Sequence, residues 1–172
     1  MAIKQSIILL VLAVILGLGV NLFSPNRIDF IGEYRDLSGG DGPIVPPEAE
    51  PGDPPFIDVN VAQLEHASGK TVFIDAREPE EFRCGTIPGS INIPFDYLPP
   101  GDLEPYFDSC LAGIPSSYSI IVFCSGEECD LSLHLARNLQ DVGYTRASVF
   151  FGGSREWERM GLEMERREQC ED

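Results

Sequence analysis

After residue 55, apolar and polar positions follow two alternating patterns, which predict strands and helices in turn. Short apolar runs bounded by turn residues predict strands at residues 71–75, 90–93, 120–123 and 148–151. Helical spacing predicts helices at residues 59–67, with Asn60 as a candidate cap, and at 78–83, 103–111, 131–142 and 155–160. Apolar strands that alternate with helices form parallel sheets covered on both faces. The pattern therefore predicts an α/β fold with a mostly parallel central sheet flanked by helices.

The N-terminus differs from the rest of the chain, because residues 7–20 are an unbroken run of apolar and glycine positions. A helix in a soluble core would show a polar stripe, and the run is close in length to the roughly 17–25 residues that cross a bilayer. We therefore predict one N-terminal transmembrane helix at residues 1–23. A cleaved signal peptide is the alternative, although no A-x-A-like cleavage site follows.

The topology of this segment predicts where the folded part lies. A short head such as residues 1–6 usually stays on the cytoplasmic side. We therefore expect a single-pass protein of the inner (cytoplasmic) membrane with its C-terminal domain in the periplasm or otherwise outside the cytoplasm. Residues 24–55 are rich in proline, glycine and acidic residues, so we expect a linker without a core. The predicted organisation is an anchor at 1–23, a linker at 24–55, a folded domain at 56–167 and an acidic tail at 168–172.

Composition narrows the possible partners. The 172 residues suit one domain with an appendage, and 28 acidic against 12 basic residues give a net charge of −16. A chain this acidic, without a cluster of lysine and arginine, is not expected to bind nucleic acid. Its acidic excess is otherwise typical of a solvated surface.

A cysteine loop follows the third predicted strand and carries the candidate chemistry. It starts at Cys124 and contains Cys129, with the intervening and following residues Ser125, Gly126, Glu127, Glu128 and Asp130. A strand, a turn and a helix start would place the Cys124 sulfur against backbone N–H groups, which favours thiolate. Cys129 can reach the same space, so the pair offers sulfur transfer from Cys124 or a reversible Cys124–Cys129 disulfide. An inert buried cysteine is the alternative.

Several separated motifs together resemble the rhodanese-like family. They are residues 72–82 (VFIDAREPEEF), residues 85–94 (GTIPGSINIP), the cysteine loop, and residues 151–153 (FGG) followed by Trp157 and Gly161. The resemblance implies the family's α/β fold and a catalytic cysteine, here Cys124. That cysteine would take sulfane sulfur from a small donor as a persulfide and pass it to a thiol or protein acceptor.

The resemblance also suggests roles for neighbouring residues. The loop is similar to a variant with the pattern C-x-G-x-x-C-x-x-S, matched by Cys124, Gly126, Cys129 and Ser132, in which Cys129 could resolve a persulfide or sulfenate. Asp75 and Arg77 are placed near the base of the site, where they would brace the loop; a plain structural ion pair is the alternative. We expect no cofactor and no metal, because the two loop cysteines are not in C-x-x-C spacing and no histidine pair completes a zinc site.

Departures from the family pattern weaken some of its activities. Residues 125–130 contain no basic residue and two glutamates, which weakens the expected affinity for thiosulfate and makes a phosphatase improbable. Glu127 and Glu128 would oppose a low thiolate pKa unless they point to water. Our hypothesis is that Cys124 is nevertheless a low-pKa nucleophile and that Cys129 is its resolving partner.

Three functions remain open at this point. The first is sulfur transfer through a Cys124 persulfide, the second a membrane-tethered thiol–disulfide protein using Cys124 and Cys129, and the third a non-catalytic sulfur-binding or interaction module. The sequence does not decide how the other three cysteines pair. Cys84 and Cys110 are a possible disulfide, and Cys170 is expected to be free.

Overall fold

A computed structural model of the chain describes residues 5–7, 10, 16, 19–20, 42–168 and 170. The chain divides into two units, residues 1–36 and 37–172. The described residues of the first unit are helical, and in the described part of the chain no helix has the length and apolar character needed to span a bilayer. Most of the predicted anchor at 1–23 and the first part of the predicted linker, 24–41, lie outside the described residues.

The second unit is built on a four-stranded sheet with the strand order β2-β1-β3-β4. The strands are β1 (Thr71–Asp75), β2 (Ile91–Asn92), β3 (Ser119–Phe123) and β4 (Ala147–Phe150). All three strand pairings are parallel. The predicted α/β architecture with a parallel central sheet is therefore confirmed.

Helices cover both faces of this sheet. They are α1 (Val59–Ser68), α2 (Pro79–Cys84), α3 (Glu104–Cys110), α4 (Leu131–Asp141) and α5 (Gly153–Arg159), with a 3₁₀ turn at Phe95–Tyr97. Successive residues of β3 point to opposite faces. Ile120 and Val122 pack with α3 and α4, whereas Ile121 and Phe123 pack with α1 and α5. This explains why β3 reads as a continuous apolar run.

The cap of α1 differs from the prediction. Asp58, not Asn60, precedes the helix in an extended conformation. Its carboxylate accepts hydrogen bonds from the backbone N–H groups of Asn60 at 2.8 Å and Val61 at 2.9 Å. Asn60 lies inside the first turn and supplies a donor rather than the capping oxygen.

Residues 44–55 pack onto the domain although their composition predicted a linker without a core. Ile44 is buried within the α3–α4 core. Arg137 of α4 donates two hydrogen bonds to the carboxylate of Asp53, at 2.7 and 2.8 Å, and one to the Glu48 carbonyl at 3.1 Å. The hydrogen bond from Arg137 lowers the pKa of Asp53. Burial of Ile44 and the Arg137–Asp53 ion pair thus help to order a segment whose composition predicted none.

The last described residues, 163–168 and 170, belong to a segment that we call the C-terminal strap. Thr86 and Glu165 pair in antiparallel fashion, and Arg167 donates its backbone N–H to the Arg83 carbonyl at 2.9 Å. This path brings Cys170 to Cys84, and the two form a disulfide with a Cα–Cα distance of 5.5 Å. The prediction that Cys170 is free is therefore wrong, and the possible disulfide between Cys84 and Cys110 does not form. Cys110 is a free thiol that packs against the α3–α4 core.

Candidate active site

The cysteine loop begins at the carboxyl end of β3, the central strand, where sites form in parallel α/β sheets. The start of α5 holds its backbone. Ser154 donates its N–H to the Cys124 carbonyl at 2.9 Å, and Arg155 donates to the Ser125 carbonyl at 3.1 Å. Gly153 makes this approach possible, because it has φ +61° and any Cβ there would lie 2.4 Å from the Cys124 carbonyl oxygen. The loop and the glycine pair of the sequence motif are therefore one packed unit.

The two loop cysteines differ in their access to solvent. Cys124 has a relative exposure of 0%, and its sulfur lies 2.9 Å from the Cys129 carbonyl oxygen and 3.5 Å from the Ser132 hydroxyl. Cys129 is only partly buried. The Cys124 thiol donates to the Cys129 carbonyl oxygen, and the two cysteine side chains also interact with each other. Both sulfurs, together with the serine of the C-x-G-x-x-C-x-x-S pattern, thus form one cluster.

The environment shifts the pKa values of the two loop thiols in opposite directions. Burial raises the pKa of Cys124 well above its usual value, and the neighbouring Cys129 thiol raises it further. Interaction with the Cys124 thiol lowers the pKa of Cys129 to about 6 against the opposing effect of partial burial, assisted by the backbone N–H groups of Leu131 and Ser125. Burial in this loop conformation therefore opposes the low pKa that we hypothesised for Cys124. Its side chain turns into the core, while the loop and helix amides face Cys129 instead.

Asp75 and Arg77 form a buried, fully hydrogen-bonded pair below the loop. The Arg77 side chain donates to the two Asp75 carboxylate oxygens at 3.0 and 2.6 Å, and the Thr86 hydroxyl donates to the same carboxylate at 2.8 Å. Arg77 also donates to the Gly85 carbonyl at 2.7 Å. The pair ties the end of β1 to the Gly85–Thr86 turn. Ala76, between its members, donates to the Phe123 carbonyl at 2.9 Å, directly before Cys124.

The acidic side chains of the loop face cations from α5. Glu127 is 3.9 Å from Arg159 and Glu128 is 3.9 Å from Arg155. The Glu128 side chain is 74% exposed, so its pair contributes little to stability. The positive charge that the loop sequence lacks is therefore supplied by another element. Sequence spacing gave no signal for these arginines beyond their nearness to the Gly152–Gly153 motif.

Asp130 and His134 occupy the far end of the loop. Asp130 precedes α4 without a side-chain capping bond, and its carboxylate lies 3.2 Å from His134 Nε2. The His134 ring stacks on Phe95 at a centroid distance of 5.5 Å. Asp130 thus fixes the first turn of α4 through a partly exposed side-chain pair rather than contributing to the sulfur cluster.

A cavity of about 300 Å³ opens beside the loop. Its wall contains the loop residue Ser125, the α5 residues Ser154 and Arg155, and the strap residue Arg166, with Arg77 below them. The Cys84–Cys170 disulfide and the side chains of Glu80, Glu81 and Glu158 also line the cavity. Guanidinium groups and hydroxyls next to a cysteine loop suit a small anionic or thiol-bearing ligand. Sequence reasoning did not find Ser154, Arg166 or the disulfide, because they reach the cavity only through the fold.

Comparison with known proteins gives consistent matches to the folded unit. The family model of the rhodanese-like domain matches residues 59–160. Human thiosulfate:glutathione sulfurtransferase is 35% identical over 103 residues, covering 53% of this chain and 82% of that protein. An HTH-type transcriptional regulator of Mycobacterium tuberculosis is 30% identical over 95 residues, covering 55% of this chain but only 38% of the regulator.

Solved structures agree with these matches. A human single-domain sulfurtransferase has a TM-score of 0.51 at 26% identity, covering 61% of this chain and 96% of that chain. A protein from Bacillus halodurans has a TM-score of 0.55 at 20% identity, covering 64% of this chain and 75% of that chain. The second likeness shows the fold alone.

Proposed function

This chain belongs to the rhodanese-like domain family, and from that premise we propose that it is a sulfurtransferase carrying sulfane sulfur as a persulfide on Cys124, with Cys129 as the resolving thiol. The observation that carries the proposal is the sulfur cluster. Cys124 and Cys129 interact in one loop at the carboxyl end of β3, an inner strand of the sheet, and the lowered pKa of Cys129, about 6, favours a thiolate in this loop.

The chemistry needs only this thiolate and a donor. A thiolate attacks the outer sulfur of the donor, the donor's sulfur–sulfur bond breaks, and the remainder of the donor leaves with the electron pair. An acceptor thiolate then attacks the outer sulfur of the protein persulfide and releases the protein thiolate. Cys129 competes with outside acceptors because its attack is intramolecular.

The cavity beside the loop offers guanidinium donors to a small anionic donor. Three arginines line it with Ser125 and three glutamates offset their formal charge, so thiosulfate or a polysulfide would bind through hydrogen bonds from Arg77, Arg155 and Arg166 rather than through net positive charge. The human relative is described as a thiosulfate:glutathione sulfurtransferase. We propose the same class of reaction here, from thiosulfate or polysulfide to a low-molecular-weight thiol or a protein thiol.

Intact mass spectrometry tests the proposal. The full-length chain is exposed to thiosulfate and separately to polysulfide, then treated with cyanide, which removes sulfane sulfur. We expect a gain of one sulfur atom that clears with cyanide and is lost when both loop cysteines are replaced by serine. Cys110→Ser is the matched control, because it removes a free cysteine that lies on α3. Absence of sulfur uptake from both donors would refute the proposal.

A thiol–disulfide protein is the second candidate function, and the nearness of the two loop cysteines favours it, because the Cys124 sulfur lies 2.9 Å from the Cys129 carbonyl oxygen. Oxidised glutathione would then produce a Cys124–Cys129 disulfide through a mixed disulfide. A loss of two protons with this crosslink and no sulfur uptake would favour the second function. No change with any of these reagents would leave a non-catalytic interaction module.

We also propose that residues 1–23 anchor the domain in the cytoplasmic membrane, with the domain on the outer side of that membrane. The apolar run at residues 7–20 supports the anchor. Proteolysis of intact spheroplasts tests the orientation. We expect the domain to be digested without lysis, and a fully protected domain would contradict the proposed orientation.

A further inference from the structure

Ser154 is a buried polar residue whose hydroxyl has no partner in the described part of the chain. It lies in the first turn of α5 and is 4% exposed. Its backbone N–H donates to the Cys124 carbonyl at 2.9 Å, whereas its hydroxyl makes no hydrogen bond with any residue that the structure describes. Burying a hydroxyl without a partner costs free energy, so such a group in a folded protein calls for an explanation.

The Ser154 hydroxyl is open to the cavity beside the cysteine loop. Ser154 lines this cavity together with the loop residue Ser125. Among the residues that the structure describes, the fully enclosed side-chain polar atom without a hydrogen bond is Arg83 Nε. The Ser154 oxygen therefore keeps some exposed surface, and the cavity is the space that this residue lines. A ligand in the cavity can accept the hydrogen bond that the protein leaves unmade.

The arginines of the cavity differ from Ser154, because a carboxylate faces each of them. The three pairs are Arg77–Asp75, Arg155–Glu128 and Arg166–Glu158. An anion that binds to one of these guanidinium groups shares it with a carboxylate of the protein. The Ser154 hydroxyl offers its hydrogen bond without a competing acceptor among the described residues.

We propose that Ser154 is a sulfur-donor-binding residue that selects thiosulfate: its hydroxyl donates a hydrogen bond to one of the three thiosulfate oxygens. The inference rests on the proposed sulfur transfer and adds the residue that recognises the oxygen-bearing end of the donor. Charged oxygen atoms accept strong hydrogen bonds, whereas sulfur is a weak acceptor. A site built to hydrogen-bond one substrate discriminates against another that lacks the bonding group. Polysulfide has no oxygen and gains little from Ser154.

The reaction step leaves the hydroxyl chemically unchanged. A loop thiolate attacks the outer sulfur of thiosulfate, the sulfur–sulfur bond breaks, and sulfite leaves with the electron pair and all three oxygens. These oxygens carry charge both before and after the bond breaks, so the hydrogen bond holds the donor throughout. An interaction of equal strength in the ground state and the transition state affects KM rather than kcat.

The backbone of Ser154 is fixed against the loop that carries the reacting sulfur. The preceding residue, Gly153, has φ +61° and allows the close contact with the Cys124 carbonyl. Because Ser154 also donates its N–H to that carbonyl, its hydroxyl keeps a constant position relative to Cys124. A thiosulfate ion held by this hydroxyl would therefore be oriented relative to the loop before it reacts.

Steady-state sulfur transfer to cyanide, read as the thiocyanate formed, tests the inference on the full-length chain. Wild type and Ser154→Ala are each assayed with thiosulfate and with polysulfide, and the reaction without protein is subtracted. We expect Ser154→Ala to raise KM for thiosulfate by about tenfold or more, with kcat within about twofold of wild type. For polysulfide, kcat/KM should change by no more than about twofold.

Ser90→Ala is the matched control, because Ser90 is also a buried serine but its hydroxyl donates to the Ile87 carbonyl at 2.6 Å. This control should lower the midpoint of urea unfolding and leave KM for thiosulfate within about twofold of wild type. Ser154→Ala should leave the midpoint unchanged or raise it, because the hydroxyl that it removes makes no hydrogen bond within the described chain. A purely structural role for Ser154 predicts the reverse pattern.

The outcomes separate the inference from the proposed function. An unchanged KM for thiosulfate in Ser154→Ala, or equal losses with both sulfur donors, would overturn the inference and leave sulfur transfer standing. If wild type transfers sulfur from neither donor, the proposed function fails, and sulfate then tests the site, because it has sulfur-bound oxygens but no sulfur to transfer. Weaker sulfate binding to Ser154→Ala than to wild type in isothermal titration calorimetry would support the site, and equal binding would overturn it.

Discussion

Replacing Cys170 with serine opens the disulfide between the C-terminal strap and α2, and we expect this to lower the free energy of unfolding substantially. The bond joins residues 86 positions apart. In the chain-entropy description, closing a loop of that length removes about 4.6 kcal/mol of entropy from the unfolded chain, and removal of native disulfides typically costs about 2–5 kcal/mol. The antiparallel Thr86–Glu165 pairing remains in the variant, so the folded strap should keep its path.

Urea unfolding of the full-length chain, followed by Trp157 fluorescence, measures this loss. With a denaturant slope of about 2 kcal/mol per molar, we expect the midpoint to fall by about 1–2.5 M. Cys110→Ser, which removes a free cysteine without opening a crosslink, should change the free energy of unfolding far less. Wild type in reductant should unfold like Cys170→Ser. If oxidised wild type and Cys170→Ser had the same midpoint, the assignment of a stabilising Cys84–Cys170 bond would be refuted.

Three further predictions concern the site. Gly153→Ala should lower the free energy of unfolding by about 3 kcal/mol or more and abolish sulfur uptake, because the new Cβ would overlap the Cys124 carbonyl. The control Gly69→Ala has a similar φ and open space around it, so it should cost only about 1–2 kcal/mol in urea unfolding. Asp75→Asn should lower the free energy of unfolding by about 3–5 kcal/mol, because it leaves the buried Arg77 unpaired. The control Glu81→Gln changes an exposed partner 3.8 Å from Arg77 and should alter that free energy by about 0.5 kcal/mol or less. Equal effects of the two variants would contradict the bracing role of Asp75. The alkylation rate of Cys129 should rise with pH to a plateau, with an inflection near its pKa of about 6, because the thiolate is lost as pH falls through that value. Cys124→Ala should shift this inflection to higher pH, because it removes the interaction with the Cys124 thiol. An unshifted profile would show that Cys124 does not set the pKa of Cys129.

Local pattern predicted most of the fold because the sheet is built from short-range signals. The strand predicted at residues 71–75 matches β1, and the helix predicted at 131–142 matches α4 to within one residue. Both follow from the apolar period of each segment, which neighbouring residues determine. The position of Cys124 directly after an apolar strand likewise placed it at the carboxyl edge of a parallel sheet without knowledge of the pairing.

The cap of α1 and the order of residues 44–55 show where local pattern fails. Asp58 and Asn60 are both acceptable capping residues, and only the backbone path decides which oxygen faces the free N–H groups. Ile44 and Val45 are neighbouring apolar residues, and only Ile44 is buried, because it packs into the core formed by α3 and α4.

The sequence by itself determined a parallel α/β domain with a cysteine loop at the end of its central strand, because strand and helix periods and turn residues are properties of neighbouring positions. Only the tertiary structure decided that Cys124 is buried and Cys129 only partly buried, that α5 supplies the arginines near the loop, and that Cys84 pairs with Cys170. These outcomes depend on burial and on distances between residues far apart in the chain. Packing fixes both, and no spacing within the sequence encodes them.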